Sequence, residues 1–346
     1  MAECSCCGEA NDERGEKRLI RMRKALIVGL NEYGAASLDG CVNDAKKIKT
    51  LLEKHEDKSR NFDCRVLTAE KNDPVSIKKG NLKAAIKQLF SGEPRISLFY
   101  FSGHGYLDEL GGYLVTQDYA DEDLGVAMQD IINLANESKA HEIVIILDCC
   151  HSGKFGTNAA FKNETSYLRP GVAILTASLA HESSVEVNGE GIFTKIVCDA
   201  LNGGAVDVMG KVTVASIYAY ADQILGAWDQ RPMFKANVTT LTTLRECSPL
   251  VEISLLRKLP DYFTSSSMVY PLDYTYEPDK NYAPPNDKNP YPDHEEIFGH
   301  FQKYRDARLL VPDGEKHLFW AAIKNKGCRL TTLGQFYWSL AKENKI

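Results

Sequence analysis

Two short segments of the sequence carry side chains suited to nucleophilic chemistry. The apolar run ISLFYF leads directly into Ser102–Gly105 (SGHG), and the apolar run IVIILD leads into Cys149–Gly153 (CCHSG). An unperturbed thiol has a pKa of about 8.5 and is only a few per cent thiolate at neutral pH, so it needs a base nearby. If the two runs are neighbouring strands of one sheet, the His104 imidazole, flanked by glycines, can reach a thiol and act as that base.

Side-chain alternation along the second strand distinguishes its two cysteines. Successive residues of a strand point to opposite faces, so Cys149 continues one apolar face of the strand, whereas Cys150 shares its face with Asp148. We therefore expect Cys150 to be the nucleophile and Cys149 to lie in the core. His151 should diverge from the thiol of the residue before it, and Ser152 lacks the G-x-S-x-G turn of serine hydrolases.

These segments require a sheet that places the two strand ends side by side. Between Lys24 and Leu244 the sequence alternates short apolar segments, rich in β-branched and aromatic residues, with amphipathic helical ones. This pattern is typical of an α/β fold with an open, mainly parallel sheet and helices on both faces. The six predicted strands are Ala25–Leu30, Phe62–Leu67, Ile96–Phe101, Glu142–Cys149, Val172–Thr176 and Gln230–Leu244.

Apolar residues spaced three and four apart predict the helices between the strands. Their stripes are Val42, Ala45, Ile48 and Leu52; Leu82, Ala85, Ile86 and Leu89; and Met128, Ile131, Ile132 and Ala135. Two further helices are predicted around Ile192–Leu201 and Val214–Leu225.

Shifts in composition divide the sequence into four predicted segments. Residues 1–23 form a flexible N-terminal tail, whose CSCC motif has no second Cys or His pair close enough for a zinc site. Residues 24–248 form the main domain, and residues 249–292 a helix and a proline-rich linker. Residues 293–346 form a small α+β module with a winged-helix-like pattern.

Composition limits the classes of protein to which the chain can belong. Of 346 residues, 44% are hydrophobic and 25% charged, which excludes a disordered or coiled-coil chain. The net charge of −6 argues against nucleic acid as the main partner. No apolar run approaches the roughly 20 residues of a membrane-spanning helix, no secretory signal is visible, and the ten cysteines lack disulfide-type spacing. We therefore expect a cytoplasmic protein without membrane association.

The two motifs together resemble those of a known family. SGHG after one apolar strand and D-x-C-H-S-G after the next are similar to the caspase-like cysteine peptidases, specifically the metacaspase and bacterial caspase-like branch. The segments LDGCVNDA at 38–45, LTASLAHESSVEVNGEGIFTKIVCDAL at 175–201 and QRPMFKAN at 230–237 resemble further parts of that family. The resemblance covers about residues 24–244, two-thirds of the chain, and implies a caspase-like sheet.

The resemblance also implies a mechanism. His104 would be the base and Cys150 the nucleophile of an endopeptidase that forms a thioester with its protein or peptide substrate. The backbone N–H groups of Gly105 and Cys150 would form the oxyanion hole, which stabilises the charge of the tetrahedral intermediate.

Acidic residues set the expected substrate preference. Asp44 and Asp148 match the positions of the metacaspase specificity pocket, and their charge favours Arg or Lys at P1, the residue before the cleaved bond. Asp44 could instead complement the dipole at a helix N-terminus. Asp148 ends an apolar strand, so it needs a polar partner. Ser178 matches a family position beside the substrate strand.

Some members of this branch need calcium. Asp118, Asp121, Glu122 and Asp123 form a carboxylate cluster that is chemically suited to Ca²⁺. Its spacing is not that of an EF-hand, and the acidic residue that the family places soon after the nucleophile is missing. A solvated loop is the simpler interpretation, so we expect no metal site and no cofactor, with calcium as the alternative.

Self-cleavage is a further property of the family, and Lys154, Lys162 and Arg169 offer basic candidate positions. The C-terminal module carries the apolar sequences HLFW and FYW, which favour an unknown protein partner over DNA. Two alternative functions remain open: a catalytically silent scaffold that acts through this module, and a thiol hydrolase of small amides. The presence of both His104 and Cys150 favours an active peptidase.

Overall fold

The computed structural model describes residues 22–107, 111–120, 123–151, 168–177, 191–225 and 232–346, except for the side chains of Leu107, Cys150 and His151. The chain divides into two compact units. The first comprises Met1–Val206 with Lys211–Cys247, and the second comprises Asp207–Gly210 with Ser248–Ile346. In these described segments, no helix has the length and apolar character needed to cross a membrane.

A central sheet organises the first unit. Its strands are β1 (Arg23–Leu30), β2 (Asp63–Ala69), β3 (Ile96–Leu107), β4 (Gly112–Ala120), β5 (Asp123–Ala127), β6 (Glu142–His151), β7 (Val172–Thr176) and β9 (Met233–Asn237). The strand between β7 and β9 in the chain, β8 (Lys211–Thr213), belongs to a separate sheet. The main path is β2-β1-β3-β6-β7-β9, parallel except for β9, which runs antiparallel to β7. The predicted α/β fold with a mainly parallel six-stranded path is therefore confirmed.

Helices cover both faces of this sheet. They are α1 (Cys41–Glu53), α2 (Lys79–Leu89), α3 (Met128–Glu137), α4 (Ile192–Asp199), which continues into a π-helical turn at Ala200–Gly204, and α5 (Val214–Leu225). The predicted apolar stripes of α1, α2 and α3 are buried. Alternate strand residues supply two cores, one containing Phe99 and Phe101 and the other Leu98 and Tyr100. Continuous apolar strands are what a sheet covered on both faces requires.

The region between β3 and α3 differs from the sequence-based expectation of a solvated loop. It forms β4 and β5, a pair of antiparallel strands added to β3, where Gly105 pairs with Leu114. Gly125 has φ +133°, and a Cβ there would lie 2.1 Å from the Leu114 oxygen, so glycine permits the close approach of the two strands. Within the described residues the sheet thus has eight strands.

The predicted sixth strand, Gln230–Leu244, is wrong in its extent. The chain leaves the main sheet after Asn237, whose side chain donates to the Leu168 oxygen at 2.7 Å. It then forms β10 (Thr243–Glu246), which pairs antiparallel with β8 (Lys211–Thr213) in a separate two-stranded sheet.

The second unit is an α+β structure with its own core. Its elements are α6 (Ile253–Leu256), α7 (Leu259–Tyr262), β11 (Val269–Pro271), α8 (Pro292–Asp306), β12 (Leu310–Asp313), α9 (Leu318–Ile323), β13 (Gly327–Leu330) and α10 (Thr332–Lys342). The three strands form an antiparallel sheet in the order β11-β13-β12. The segment Leu318–Ile323, which the sequence leaves open between strand and helix, is helical.

The predicted division between a linker at 249–292 and a module at 293–346 does not match this arrangement. Leu256 and Phe263 are fully buried in the same core as Phe301, and β11 pairs with β13. The proline-rich segment is also held by polar contacts: Asp287 accepts hydrogen bonds from the hydroxyls of Tyr274 and Tyr291, both at 2.6 Å. Burial of apolar side chains and these bonds make the segment part of the unit rather than a spacer.

Candidate active site

The two predicted catalytic residues lie on adjacent strands. β3 and β6 are parallel neighbours, and their register pairs His104 with Cys150 and Gly105 with His151. The condition set by the sequence argument, that the two apolar runs lie side by side, is therefore met. The Cys150 side chain lies outside the described atoms, so the two residues are related here by the register of their backbones.

The His104 ring is held by a backbone carbonyl. Its Nε2 lies 2.6 Å from the oxygen of Ala36, in the short 3₁₀ turn Gly34–Ala36 that follows β1. Because a carbonyl oxygen only accepts hydrogen bonds, Nε2 carries the hydrogen and Nδ1 is the ring nitrogen available as a base. The geometry therefore assigns the tautomer needed for proton abstraction by Nδ1.

Two buried carboxylates lie close together on the face of the sheet covered by α1 and α4. Asp44 is in the first turn of α1 and Asp148 is near the end of β6; they are 2% and 4% exposed. A Cβ at Gly191, just before α4, would lie 2.7 Å from Asp148 Oδ2 and 3.0 Å from Asp44 Oδ2. The sequence predictions for Asp44 and Asp148 thus concern one site, here called the acidic cluster.

The N-terminal turn of α4 supplies donors to both carboxylates. The Gly191 N–H donates to Asp44 Oδ2 at 3.3 Å, and the N–H and hydroxyl of Thr194 donate to Asp148 Oδ2 at 3.2 and 2.5 Å. The Ser102 hydroxyl donates to Asp44 Oδ2 at 3.4 Å. Within the described residues, the other Asp44 oxygen, Oδ1, is buried without a hydrogen-bond partner.

Burial changes the acidity of the cluster. Loss of hydration raises the pKa of Asp44 to about 7, and the nearby charge of Asp148 acts in the same direction, against the hydrogen bonds from Gly191 and Ser102. A buried carboxylate with an unpartnered oxygen and a raised pKa is stabilised when a cationic group pairs with it. The acidic cluster can therefore recognise an ammonium or guanidinium group.

Sequence reasoning missed three residues that donate hydrogen bonds to the acidic cluster. Ser102 belongs to the SGHG motif, and strand alternation places it on the same face as His104, so the argument used for Cys150 could have identified it. Gly191 and Thr194 are distant in sequence from both carboxylates, and only the packing of α4 reveals their contacts.

Several predicted residues lie outside the described part of the chain. They are Ser178, Lys154, Lys162, Asp121, Glu122 and the N-terminal cysteines Cys4, Cys6 and Cys7. Arg169 is described, and its guanidinium donates to the carbonyl oxygens of Ala135, Pro170 and Ala140. These contacts make Arg169 a structural residue in the described fold.

Both described members of the calcium candidate, Asp118 and Asp123, contact Lys79. Asp118 Oδ1 accepts hydrogen bonds from the Thr116 hydroxyl and the Lys79 N–H, at 2.7 and 2.9 Å. Asp123 forms an ion pair of 2.7 Å with Lys79 Nζ. Among the described residues there is no group of three His, Cys, Asp or Glu side chains able to hold a metal ion.

A parallel sheet with a histidine and a cysteine in register at the ends of adjacent strands, beside two buried carboxylates, defines a caspase-like protein. Residues 22–243 match the caspase domain of peptidase family C14, and the chain belongs to that family. A solved structure from Geobacter sulfurreducens is 16% identical with a TM-score of 0.47, covering 66% of this chain and 98% of that one.

Metacaspases are among the proteins to which the chain is similar in sequence. Metacaspase-1 of Emericella nidulans is 31% identical over 152 residues, which are 39% of this chain and 37% of that protein. Metacaspase-1 of Arabidopsis thaliana is 33% identical over 148 residues, 38% of this chain and 39% of that protein. Metacaspase-1A of Aspergillus fumigatus is 38% identical over 92 residues, 25% of this chain and 22% of that protein. The chain thus aligns with less than two-fifths of the length of each.

Proposed function

We propose that this chain is a cysteine endopeptidase in which Cys150 is the nucleophile and His104 the general base. The observation that carries this proposal is the register of β3 and β6, which pairs the two residues directly. Ser102 contacts the acidic cluster, and His104 lies two positions after it in β3. Asp148 belongs to the cluster, and Cys150 lies two positions after it in β6. Strand alternation therefore predicts the imidazole and the thiol on that same face.

The proposed reaction follows from this placement. Nδ1 of His104 accepts the thiol proton, and the thiolate of Cys150 attacks the substrate carbonyl to form a tetrahedral intermediate. Backbone N–H groups of Gly105 and Cys150 are the proposed donors to its oxyanion. Collapse forms the thioester while His104 returns the proton to the leaving amine; water, activated by the same imidazole, then hydrolyses the thioester.

We further propose that the acidic cluster binds Arg or Lys at P1. The buried Oδ1 of Asp44 is an acceptor without a partner among the described residues, and Asp148 adds a second carboxylate nearby. A unit charge pair at 4 Å contributes about 4 kcal/mol at an effective dielectric of about 20, before desolvation. Two carboxylates would repel an acidic P1 residue, so the preference should be opposite to that of an Asp-specific enzyme.

Turnover of short fluorogenic peptides ending in Arg, Lys or Asp tests both proposals. We expect cleavage of the Arg and Lys peptides only, no turnover by Cys150→Ala, and a loss of about 10²-fold or more in Asp148→Ala with its circular dichroism retained. Unchanged activity of Asp148→Ala on basic peptides would refute the specificity. Activity that survives in Cys150→Ala would refute the nucleophile.

A catalytically silent scaffold is the alternative outcome of this test. Its supporting observation is that the second unit exposes large aromatic side chains: Trp320 is 38% and Phe336 57% exposed. A folded wild-type protein that cleaves none of the peptides, and whose Cys150 is inert to a thiol reagent, would favour this alternative. A protein partner of the second unit and a cytoplasmic location remain predictions.

A further inference from the structure

We propose that Tyr33 is a positioning residue for His104. The proposal rests on the proposed function, because it concerns the same imidazole, but it adds a side chain that neither the motifs nor the family match assigns. Tyr33 follows β1 in the chain and is 2% exposed. It contacts His104 through its hydroxyl, its ring and the turn that it begins.

The hydroxyl of Tyr33 accepts a hydrogen bond from a backbone N–H of β3 beyond the end of its pairing with β1. β1 pairs with β3 only as far as Gly29, opposite Ser102, and the chain then turns out of the sheet. Two residues beyond Ser102, the backbone N–H of His104 donates to Tyr33 Oη at 3.1 Å, and Oη donates to the Val115 oxygen at 3.3 Å. The Tyr33 hydroxyl therefore links the His104 backbone to β4 by two hydrogen bonds, at a position where β1 no longer pairs with β3.

The ring and the adjacent turn hold the imidazole itself. The Tyr33 and His104 ring centroids are 4.6 Å apart with an interplanar angle of 55°. The Tyr33 carbonyl accepts the Ala36 N–H at 3.3 Å, which closes the turn whose Ala36 oxygen bonds His104 Nε2. Tyr33 is thus tied both to the His104 main chain and to the carbonyl that fixes the tautomer of its ring.

Gly103 makes the approach of Tyr33 possible. A Cβ at Gly103 would lie 2.5 Å from Tyr33 Oη and 2.9 Å from Phe101 Cζ, distances that real contacts do not reach. The glycine before the histidine is therefore required by the tyrosine hydroxyl and the phenylalanine ring. This gives a steric reason for one of the two glycines that flank His104.

The primary test compares Tyr33→Phe with Tyr119→Phe on an Arg-terminated peptide. Each substitution removes one phenol oxygen. That of Tyr119 donates to the Tyr33 carbonyl at 3.5 Å, whereas the hydrogen bonds described for His104 are to Tyr33 and Ala36. Small misplacements of a catalytic group slow the chemical step, so we expect Tyr33→Phe to lower kcat about 10-fold with KM within about twofold. Equal kcat values for the two variants would overturn the proposal.

Gly103→Ala provides a second perturbation, which displaces the Tyr33 hydroxyl without altering that residue. We expect a similar fall in kcat. The loss in the double variant should be smaller than the product of the losses in Gly103→Ala and Tyr33→Phe, because the 2.5 Å contact with the hydroxyl is then absent, although the 2.9 Å contact with Phe101 Cζ remains. Fully multiplicative losses would contradict a shared action through Tyr33. If Tyr33→Phe folds poorly, the kcat of Gly103→Ala alone tests the same contact, and an unchanged value would overturn the proposal.

A readout that does not depend on turnover separates this proposal from the peptidase function. In Cys150→Ala, long-range ¹H–¹⁵N spectra should show His104 as the single Nε2–H tautomer, and Tyr33→Phe in that background should shift the backbone amide and ring ¹⁵N resonances of His104, because its N–H loses the hydroxyl acceptor. Unchanged His104 resonances would refute the role of Tyr33. If wild-type protein cleaves no peptide, the peptidase proposal fails, while these spectra still decide what Tyr33 does.

Discussion

Asp148 accepts two hydrogen bonds from Thr194 through one carboxylate oxygen, from the backbone N–H at 3.2 Å and from the hydroxyl at 2.5 Å. The Thr194 hydroxyl also lies 2.5 Å from the hydroxyl of Tyr100, which is fully buried. A buried carboxylate is stabilised mainly by such donors, since it has lost its hydration. Thr194 therefore connects α4 to the acidic cluster and holds the Asp148 carboxylate in place.

Replacing Thr194 by Val should weaken both folding and substrate binding. Valine keeps the backbone donor but removes the hydroxyl, so the free energy of unfolding should fall by about 1.5–3 kcal/mol, as for a lost hydrogen bond to a charged group. KM for an Arg-terminated peptide should rise about 10-fold, because a shifted carboxylate pairs less well with the guanidinium. Urea denaturation and steady-state kinetics measure the two effects.

Thr194→Ser is the matched control, since serine retains the hydroxyl. We expect its KM within about threefold of the wild-type value, with a smaller loss of stability from the missing methyl group. If the Ser and Val variants raised KM equally, the effect would arise from packing rather than from the hydrogen bond to Asp148.

The acidic cluster should give the protein a distinctive pH dependence. The pKa of Asp44 is about 7 in the fold, raised by burial and by Asp148, against about 3.9 in an unfolded chain. The folded state therefore binds this proton more tightly, and the Asp44 contribution to stability is complete below about pH 4 and is lost as the pH rises through about 7. Thermal denaturation of Cys150→Ala between about pH 4 and 8 measures this loss.

The matched comparison adds Asp44→Asn to the Cys150→Ala background, which removes the titrating group. Stability of this double variant should change less between about pH 4 and 8 than that of Cys150→Ala alone. Parallel curves of stability against pH for the two proteins would show that Asp44 does not titrate in this range.

Substrate binding by the active enzyme should follow the opposite trend with pH. Only the ionised cluster attracts a cation, so KM for an Arg-terminated peptide should fall as the pH rises through about 7, where Asp44 loses its proton. Steady-state kinetics at a series of pH values measure this change. A KM that rises over the same range would show that ionised Asp44 does not assist binding.

The two adjacent cysteines should respond differently to substitution. Cys149 is buried in the core with Leu147 and Ile145, so Cys149→Ala should reduce the free energy of unfolding by about 1–2 kcal/mol through loss of packing, with peptide turnover retained. Cys150→Ala should abolish turnover. Turnover lost in Cys149→Ala and kept in Cys150→Ala would show that the face assignment along β6 is inverted.

Much of the fold was predictable because its signals are local. The buried stripe of α2 and the continuous apolar strand β3 follow directly from residue spacing, and alternation along β6 correctly placed Cys149 in the core. The β4–β5 pair was not predictable, because its strands carry Gly, Asp and Tyr and depend on pairing with the end of β3.

The site shows the same division between local and distant contacts. Asp44 and Asp148 could be selected from their motifs, but their proximity depends on how α1 packs beside β6 and α4. The contact of Ala36 with His104 arises from a turn that folds back over a strand 68 residues later in the chain. No periodicity in the sequence reports such a contact, since it depends on the backbone path after β1.

Arg169 should behave as a structural residue rather than as a self-cleavage point. Its Nε and Nη2 donate to the Ala135 and Ala140 oxygens at 3.1 and 2.6 Å, which satisfies carbonyl groups at and beyond the C-terminal end of α3. We expect Arg169→Ala to lower the free energy of unfolding by about 1.5–3 kcal/mol. Arg169→Lys should retain only part of this free energy of unfolding, because an ammonium group lacks the planar set of N–H donors of a guanidinium.

The control is Lys139→Ala, whose exposed ammonium lies 3.7 Å from Glu93 and should affect stability little. Urea denaturation gives the stabilities, and a gel time course of active protein gives the fragment pattern. The pattern should be the same in Arg169→Lys as in the wild type, because the guanidinium is engaged with three carbonyl oxygens and the backbone N–H of Arg169 donates to Asn136 Oδ1 at 3.0 Å. A fragment that ends at Arg169 in the wild type and disappears in Arg169→Ala, with unchanged stability, would contradict the structural role.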